Sequence, residues 1–320
     1  MTHGSLAFVF PGQGSQKTGM LAAAYTLSDD VRATFEEASQ ALGYDVWALI
    51  AGDDQDALNL TETTQPVLLA SSVAVWRLWH AQGGEAPAML AGHSLGEFSA
   101  LTCAGSLEFA DALQLVRERG RFMQSAVPVG EGAMAAVLGM DDADIKRICD
   151  EAAAAHDSVV APVNFNAPGQ VVIAGHAGAV KAASEALKAA GARRVMPLPV
   201  SAPFHTTLMQ PAGEKLADIL ADLPITSPKI PVIHNVHARS EPDPDRIREL
   251  LTTQIASPVM WTDCVRALVD AGMTRFGECG PGSVLCGLNR RIDKTIDSFP
   301  LDTPEGIQSL IDKNNSHPGE

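Results

Sequence analysis

Gly92-His93-Ser94-Leu95-Gly96 carries the clearest chemistry in the chain. It fits G-x-S-x-G, in which a serine sits on a sharp turn between a strand and a helix. The requirement is steric: the residues two places to either side of the serine must lack a Cβ for so tight a turn to close. The serine oxygen then projects from the sheet edge beside a helix N-terminus, whose free N–H groups can stabilise a developing oxyanion. A serine nucleophile needs a base, and nine histidines compete for the role. His93 adjoins Ser94, but its side chain diverges from the serine across the turn. His3, His80, His156 and His317 occupy surface-like positions. His205 follows a strand and lies downstream of the serine, in hydrolase-like order; a surface or core-satisfied histidine is the competing reading. A Ser–His pair splits acyl transfer into two steps through an acyl-enzyme. Backbone N–H groups after the serine and in the first loop can form an oxyanion hole. No Asp before His205 stands out as a third member.

Arg119 adds a second chemical feature. Phe109, Leu113, Val116, Gly120 and Met123 line one face of a helix, and Arg119 lies about 60° from the centre of that stripe at ~100° per residue. Arg117 and Arg121 point away from it. A cation on the shoulder of a buried face is costly unless an anion answers it. The partner is either an internal Asp or Glu, or the carboxylate of a ligand, which a guanidinium grips bidentately. Gly12-Gln13-Gly14 reads as a loop whose backbone comes close to something. It lacks the lysine and Ser/Thr spacing of a phosphate loop, and a plain tight turn is its alternative. His234 and His237, three apart on a strand, are expected to face opposite sides and so to make no metal site.

The elements that must position these groups are legible as alternating strands and helices. Leu6–Phe10 is a continuous apolar run, as expected of a strand buried on both faces. Helices follow to about residue 51 and over 65–80, then a strand over 88–91 and a helix from the serine to about 104. A further helix is expected over 106–127, with Ser106 as its N-cap. Residues 128–198 change rhythm: strand 133–138, helix 142–155, strands 159–164 and 171–174, helix 177–190 and strand 194–198. That β-α-β-β-α-β order is ferredoxin-like. Beyond it come a helix to about 221, a strand over 231–236, a last core strand over 274–279, and a frayed tail from about 314. The expected fold is α/β: a hydrolase-like core (1–127 and 199–320) with a mainly parallel sheet, carrying the ferredoxin-like subdomain 128–198 as an insertion. Gln13, Ser94, His205 and Gly280 all follow strands and so can converge on one rim.

Composition narrows the class. The chain has 320 residues, 46% hydrophobic and 19% charged, which supplies a full globular core. A net charge of −15 argues against non-specific nucleic-acid binding. Five scattered cysteines without a C-x-x-C pair fit reduced thiols in a cytosolic protein. No apolar run approaches a membrane span, and the N-terminus lacks a signal-peptide pattern. A soluble, cytoplasmic, stand-alone protein is expected.

Five blocks together resemble the malonyl-CoA:acyl carrier protein transacylase family. They are Phe8–Gln16 (FVFPGQGSQ), Gly92–Glu97 (GHSLGE), Arg119–Gln124 (RGRFMQ), Asn164–Gly175 (NFNAPGQVVIAG) and Ser201–His205 (SAPFH). They occur in family order and span residues 6 to about 290. The resemblance implies Ser94 as nucleophile and His205 as its base and later acid. It implies an oxyanion hole from the N–H groups of Gln13 and Leu95, and Arg119 as the group holding the malonyl carboxylate. It further implies a backbone carbonyl at Gln254 orienting the histidine in place of an Asp. Phe204 resembles the malonyl-selecting form of its motif, although Pro203 departs from the common polyketide-domain version. Arg119, Met123 and Phe204 form the expected substrate-binding set.

The implied reaction is ping-pong, with malonyl passing from coenzyme A to Ser94 and then to the phosphopantetheine thiol of an acyl carrier protein. No metal or redox cofactor is implied, and a monomer is expected. The carrier is expected to be acidic, so this acidic chain needs a local basic surface. Lys181, Lys188, Arg193 and Arg194, or Arg290, Arg291 and Lys294, are candidates, with ordinary solvated charge as their alternative. Three other readings stand beside this one: a serine esterase or thioesterase, which has no use for Arg119; an acyltransferase serving a polyketide pathway in trans; and a non-catalytic docking subunit.

Overall fold

The computed structural model describes residues 6–200 and 202–316. His3, Ser201 and His317 lie outside the described residues. Nine strands are present among them: β1 (Leu6–Phe10), β2 (Met89–Gly92), β3 (Gly132–Leu138), β4 (Val160–Ala167), β5 (Gln170–His176), β6 (Arg194–Pro197), β7 (Val232–Ile233), β8 (Arg275–Glu278) and β9 (Asp297–Pro300).

β1 explains the larger sheet. All five of its residues are buried, and alternate side chains enter different cores: Leu6, Phe8 and Phe10 join one cluster, Ala7 and Val9 the other. A strand covered on both faces has no polar side to present, hence the unbroken apolar run. Its neighbours pair parallel on both sides, giving the order β7-β2-β1-β8-β9. In-register pairing of Phe10 with Gly92 aligns the ends of β1 and β2. The loops after β1, β2 and β7 therefore leave the sheet at one edge, where ligands meet open α/β sheets.

The second sheet is antiparallel, in the order β4-β5-β3-β6. Helices Asp142–His156 and Ala177–Ala189 pack on it through their own core of Ile145, Ile148, Val180, Ala183 and Leu187. This is the ferredoxin-like order read from the sequence. The two sheets are stitched together where β4 meets the segment after Gln254. Phe165 N–H donates to Val259 O (3.0 Å), and Val259 N–H to Val163 O (2.8 Å).

Several expected boundaries move, each for a local reason. The helix expected to start at Ser106 begins at Phe109, with no side-chain cap; Ser106 Oγ instead donates to Thr226 O at 2.6 Å. β4 runs on through Ala167 into the 166–169 spacer and β5 begins at Gln170, leaving a tight hairpin with Gly169 at φ 69°. The strand expected over 231–236 shrinks to Val232–Ile233 because the chain turns at once to bond Ala238 N–H back to His234 O. β8 is not the last core strand: β9, Asp-Ser-Phe-Pro, pairs beyond it. The tail expected to fray from 314 is helical to Ser316, with Arg275 Nη1 donating to Asn314 Oδ1 at 2.6 Å.

Candidate active site

The turn after β2 has the steric form its glycines suggested. A Cβ on Gly92 would lie 1.9 Å from the Gly96 carbonyl, and one on Gly96 would lie 2.0 Å from Phe10 O. Real Cβ atoms do not approach backbone so closely, so both positions require glycine. Ser94 takes φ 51° and ψ −104° immediately before the helix Leu95–Cys103, a strained conformation that persists only where its surroundings impose it. Part of that imposition is visible: Asn235 Oδ1 accepts the Ser94 N–H (2.7 Å), and Asn235 Nδ2 donates to Gly92 O (2.7 Å).

Ser94 Oγ lies 2.8 Å from His205 Nε2. His205 is buried and also sits at positive φ, 64°. Its Nδ1 is 3.0 Å from Gln254 O. A backbone carbonyl can only accept, so Nδ1 carries the hydrogen and Nε2 offers its lone pair to the serine hydroxyl. The carbonyl thus fixes the tautomer without bringing a charge. Burial, and after it the Arg119 charge, push the imidazole down to about 3, so it rests as the neutral base.

Arg119 is 1% exposed. Nη1 donates to Gln65 Oε1 (2.8 Å); Nη2 donates to Gln254 Oε1 (2.8 Å) and to Ser94 Oγ (3.1 Å). Its Nε is buried without a hydrogen-bond partner, and the guanidinium lies 5.0 Å over the Phe98 ring. Among the described residues no carboxylate pairs with it directly, so the internal Asp or Glu weighed from the sequence is not its partner. Burial pushes the group down to about 9, opposed by the charge of Glu97, which keeps it cationic at neutral pH. Gly120 makes this placement possible: a Cβ there would meet Thr61 O at 2.5 Å, so only glycine lets Phe109–Ser125 pack closely against Thr61–Ala81 and bring Arg119 to Gln65.

The remaining expected site residues gather around these three. Gln13 is half-buried, on a loop whose Gly12 has no room for a Cβ: the atom would sit 2.5 Å from His93 O. The N–H groups of Gln13 and Leu95 have no protein partner among the described residues, which leaves them available to an oxyanion. Met123 is 2% exposed, and its Sδ accepts weakly from Gln65 Nε2 at 3.9 Å. Phe204 is buried beside His205. His93 turns away from Ser94, as expected, to Asn166 Oδ1 (2.8 Å).

Sequence reasoning missed the support beneath the turn. Glu97 is wholly buried, with Oε1 2.7 Å from His234 Nδ1. Its Oε2 accepts from Asn235 N (2.9 Å) and Gln254 Nε2 (2.9 Å). His234 and His237 do not face opposite sides; they follow β7 in a turn, with ring centroids 6.0 Å apart. The available signal was a polar residue inside an apolar run, as at Gln65 before Pro66-Val67-Leu68 or Glu97 before Phe98.

A buried cation in contact with a Ser–His pair is suited to acyl transfer from a donor carrying a carboxylate, and the comparisons with known proteins agree. Residues 7–303 match the family model described as acyl transferase domain. A relative from Escherichia coli (strain K12), named malonyl CoA-acyl carrier protein transacylase, is 53% identical over 306 residues, covering 96% of this chain and 98% of its own. The solved malonyl-CoA:acyl carrier protein transacylase of Xanthomonas oryzae pv. oryzae superposes with TM-score 0.95 at 52% identity, covering 98% of this chain and 99% of that one. A type II PKS acyl-carrier protein in complex with its malonyl-transacylase is also similar, with TM-score 0.95, 48% identity and coverage of 97% and 99%. The chain belongs to the acyl transferase domain family and, within it, to the malonyl CoA-acyl carrier protein transacylases.

Proposed function

We propose that the protein moves malonyl from malonyl-CoA to the phosphopantetheine thiol of an acyl carrier protein through a malonyl-Ser94 intermediate, supplying extender units for fatty acid synthesis. One observation carries the acyl selectivity: a buried cation, answered only by neutral acceptors, donates to the nucleophile's own oxygen at 3.1 Å.

In the first half-reaction Ser94 Oγ attacks the thioester carbonyl carbon as its proton passes to His205 Nε2. The carbonyl oxygen becomes an oxyanion held by the N–H groups of Gln13 and Leu95. Collapse breaks the C–S bond, and the departing sulfur takes the proton from Nε2, leaving malonyl-Ser94 and coenzyme A. In the second half, the carrier thiol yields its proton to Nε2 and attacks the ester carbon. The Ser94 oxygen leaves and recovers that proton. Throughout, Arg119 holds the malonyl carboxylate, Gln254 O holds the imidazole, and Met123 and Phe204 line the acyl group. Each step moves a proton or an acyl group between the thioester and these residues, so the reading assigns no metal or redox cofactor.

The hydrolase-like part, 1–127 and 199–320, supplies nucleophile, base and arginine, and the unit 128–198 roofs the site through Asn166. The reading places a monomeric enzyme in the cytoplasm, where five free thiols belong. Similarity to a malonyl-transacylase that was solved with a type II PKS carrier favours a second reading, service to a polyketide pathway. An esterase reading leaves Arg119 without a purpose.

The test is intact-protein mass spectrometry. Malonyl-CoA should add one malonyl group to the wild type and none to Ser94→Ala, and a phosphopantetheinylated carrier should discharge it onto its thiol. Release of free malonate at the same rate without carrier would reverse the assignment in favour of a hydrolase.

A further inference from the structure

Three groups in direct contact set the resting state of the nucleophile. Ser94 Oγ accepts from Arg119 Nη2 at 3.1 Å and donates to His205 Nε2 at 2.8 Å. His205 in turn donates from Nδ1 to Gln254 O at 3.0 Å. The arginine that should hold the acyl carboxylate therefore rests on the serine itself. We infer that the malonyl carboxylate is an activator as well as a recognition handle: by neutralising Arg119 and drawing it off Ser94 Oγ, it releases the serine and lets His205 accept the serine's proton. The inference rests on the function proposed above.

Charge moves within the site as Ser94 reacts. In the resting state Ser94 Oγ uses a lone pair on a cation, which lowers its nucleophilicity. In the tetrahedral intermediate the Ser94 oxygen is neutral, the negative charge sits in the oxyanion hole and a positive charge appears on His205. The buried guanidinium, in contact with Ser94 Oγ, then faces a second cation in a low-dielectric site, where like charges repel strongly. The groups facing His205 are few. Arg119 comes from the helix Phe109–Ser125 and His93 from the turn, and both disfavour the imidazolium. Gln254 offers its neutral carbonyl, and the backbone of Ser257 also favours the charged ring. Glu97 is reached only through the Gln254 amide, and it acts on Arg119. A carboxylate on Arg119 cancels its charge at the point nearest both reacting groups. Acetyl and other neutral acyl groups bring no such anion, so they meet a nucleophile that is still restrained. Selectivity then lies in the rate of acyl-enzyme formation as well as in binding.

The probe is formate with acetyl-CoA, which together supply the two halves of a malonyl group without a bond between them. Acetyl loading of wild-type Ser94, followed by quenched-flow and intact mass, should accelerate saturably with sodium formate but not with sodium chloride at equal ionic strength. Each unit of His205 basicity restored is worth about tenfold in imidazolium stability, so the expected gain is about three- to tenfold. Arg119→Met should load acetyl with no response to formate. A second measurement needs no variant. The loading rate at saturating acyl-CoA should lose activity on acidification at a higher pH with malonyl-CoA than with acetyl-CoA, because the neutralised site raises the His205 pKa. Coincident acid limbs, or formate that only inhibits, in an enzyme that still prefers malonyl, would overturn the inference alone. An enzyme that forms no malonyl-Ser94 at all would instead remove the function on which it rests.

Discussion

Replacing Arg119 with alanine tests the selectivity of the site most directly. The guanidinium is 1% exposed and donates to Gln65, Gln254 and Ser94. In Arg119→Ala a malonyl group must bury its carboxylate with no cation opposite it. Leaving one member of a buried ion pair unanswered costs about 3–5 kcal/mol. At about 1.4 kcal/mol per tenfold, kcat/KM for malonyl loading should fall by roughly two to four orders of magnitude. Acetyl loading makes no use of the cation and should not fall. The ratio of the two rates is the readout, taken from rapid-quench mass spectrometry of Ser94 with each acyl-CoA. It is insensitive to any fraction of unfolded protein, because misfolding lowers both rates together. A malonyl rate within about tenfold of wild type, or a parallel loss of both, would refute the assignment of Arg119 as the carboxylate-binding group.

Other perturbations test the scaffold, the base and the carrier surface. In Gly96→Ala the new Cβ would sit 2.0 Å from Phe10 O, a backbone atom of the central strand that cannot move aside. Thermal unfolding by circular dichroism should show a Tm loss of many degrees or no folded protein, and a wild-type melt would mean the turn is not so closely packed. His205 is pushed down to about 3, while an unfolded histidine titrates near 6.5. Below about pH 6.5 the unfolded chain therefore binds a proton that the folded one refuses, and stability falls at about 1.4 kcal/mol per pH unit down towards pH 3. His205→Asn should lose about 2 kcal/mol less than wild type between pH 7 and 5 in urea titrations; equal losses would contradict a buried neutral imidazole. Arg193 and Arg194 are exposed at the start of the edge strand β6, and reversing both to Glu should raise KM for an acidic carrier about tenfold or more while leaving malonyl loading from coenzyme A unchanged. An unaltered carrier KM would dispose of that patch.

Most of the framework could be read because its causes are local. The apolar run of β1, the glycine-bounded turn and the strand–helix rhythm of residues 132–197 each lie within a short stretch, and each appears in the structure close to its expected position. The misses share a different cause. β9 is a short edge strand of Asp, Ser, Phe and Pro, which no periodicity marks. Ser106 fits an N-cap by type, but its hydroxyl is claimed by Thr226, 120 residues away. Asn235, which braces the Ser94 turn across 141 residues, lies in what looked like a strand and is in fact the turn after β7. Long-range hydrogen bonds leave no spacing in the sequence to detect.

Arg119 shows how such a partnership decides chemistry. From the sequence, an arginine on a buried face implied an anion, and an internal Asp or Glu was the ordinary answer. The protein answers it with the oxygens of Gln65 and Gln254. A carboxylate in their place would hold the guanidinium equally well but would also neutralise it, leaving nothing for a substrate anion to satisfy. An amide oxygen orients the guanidinium and carries no charge. Glu97, the acid that acts on Arg119 among the described residues, bonds the far side of the Gln254 amide. A carboxylate can only accept, so it requires Nε2 on its own side and leaves Oε1 facing Arg119. The Gln254 side chain thus separates Glu97 from Arg119, while its backbone carbonyl fixes His205. Converting Gln254 to Glu should fill the site with its own anion. Malonyl loading should fall steeply while acetyl loading is retained or rises, and loss of acetyl loading to the same extent would show that the amide serves only to hold the fold together.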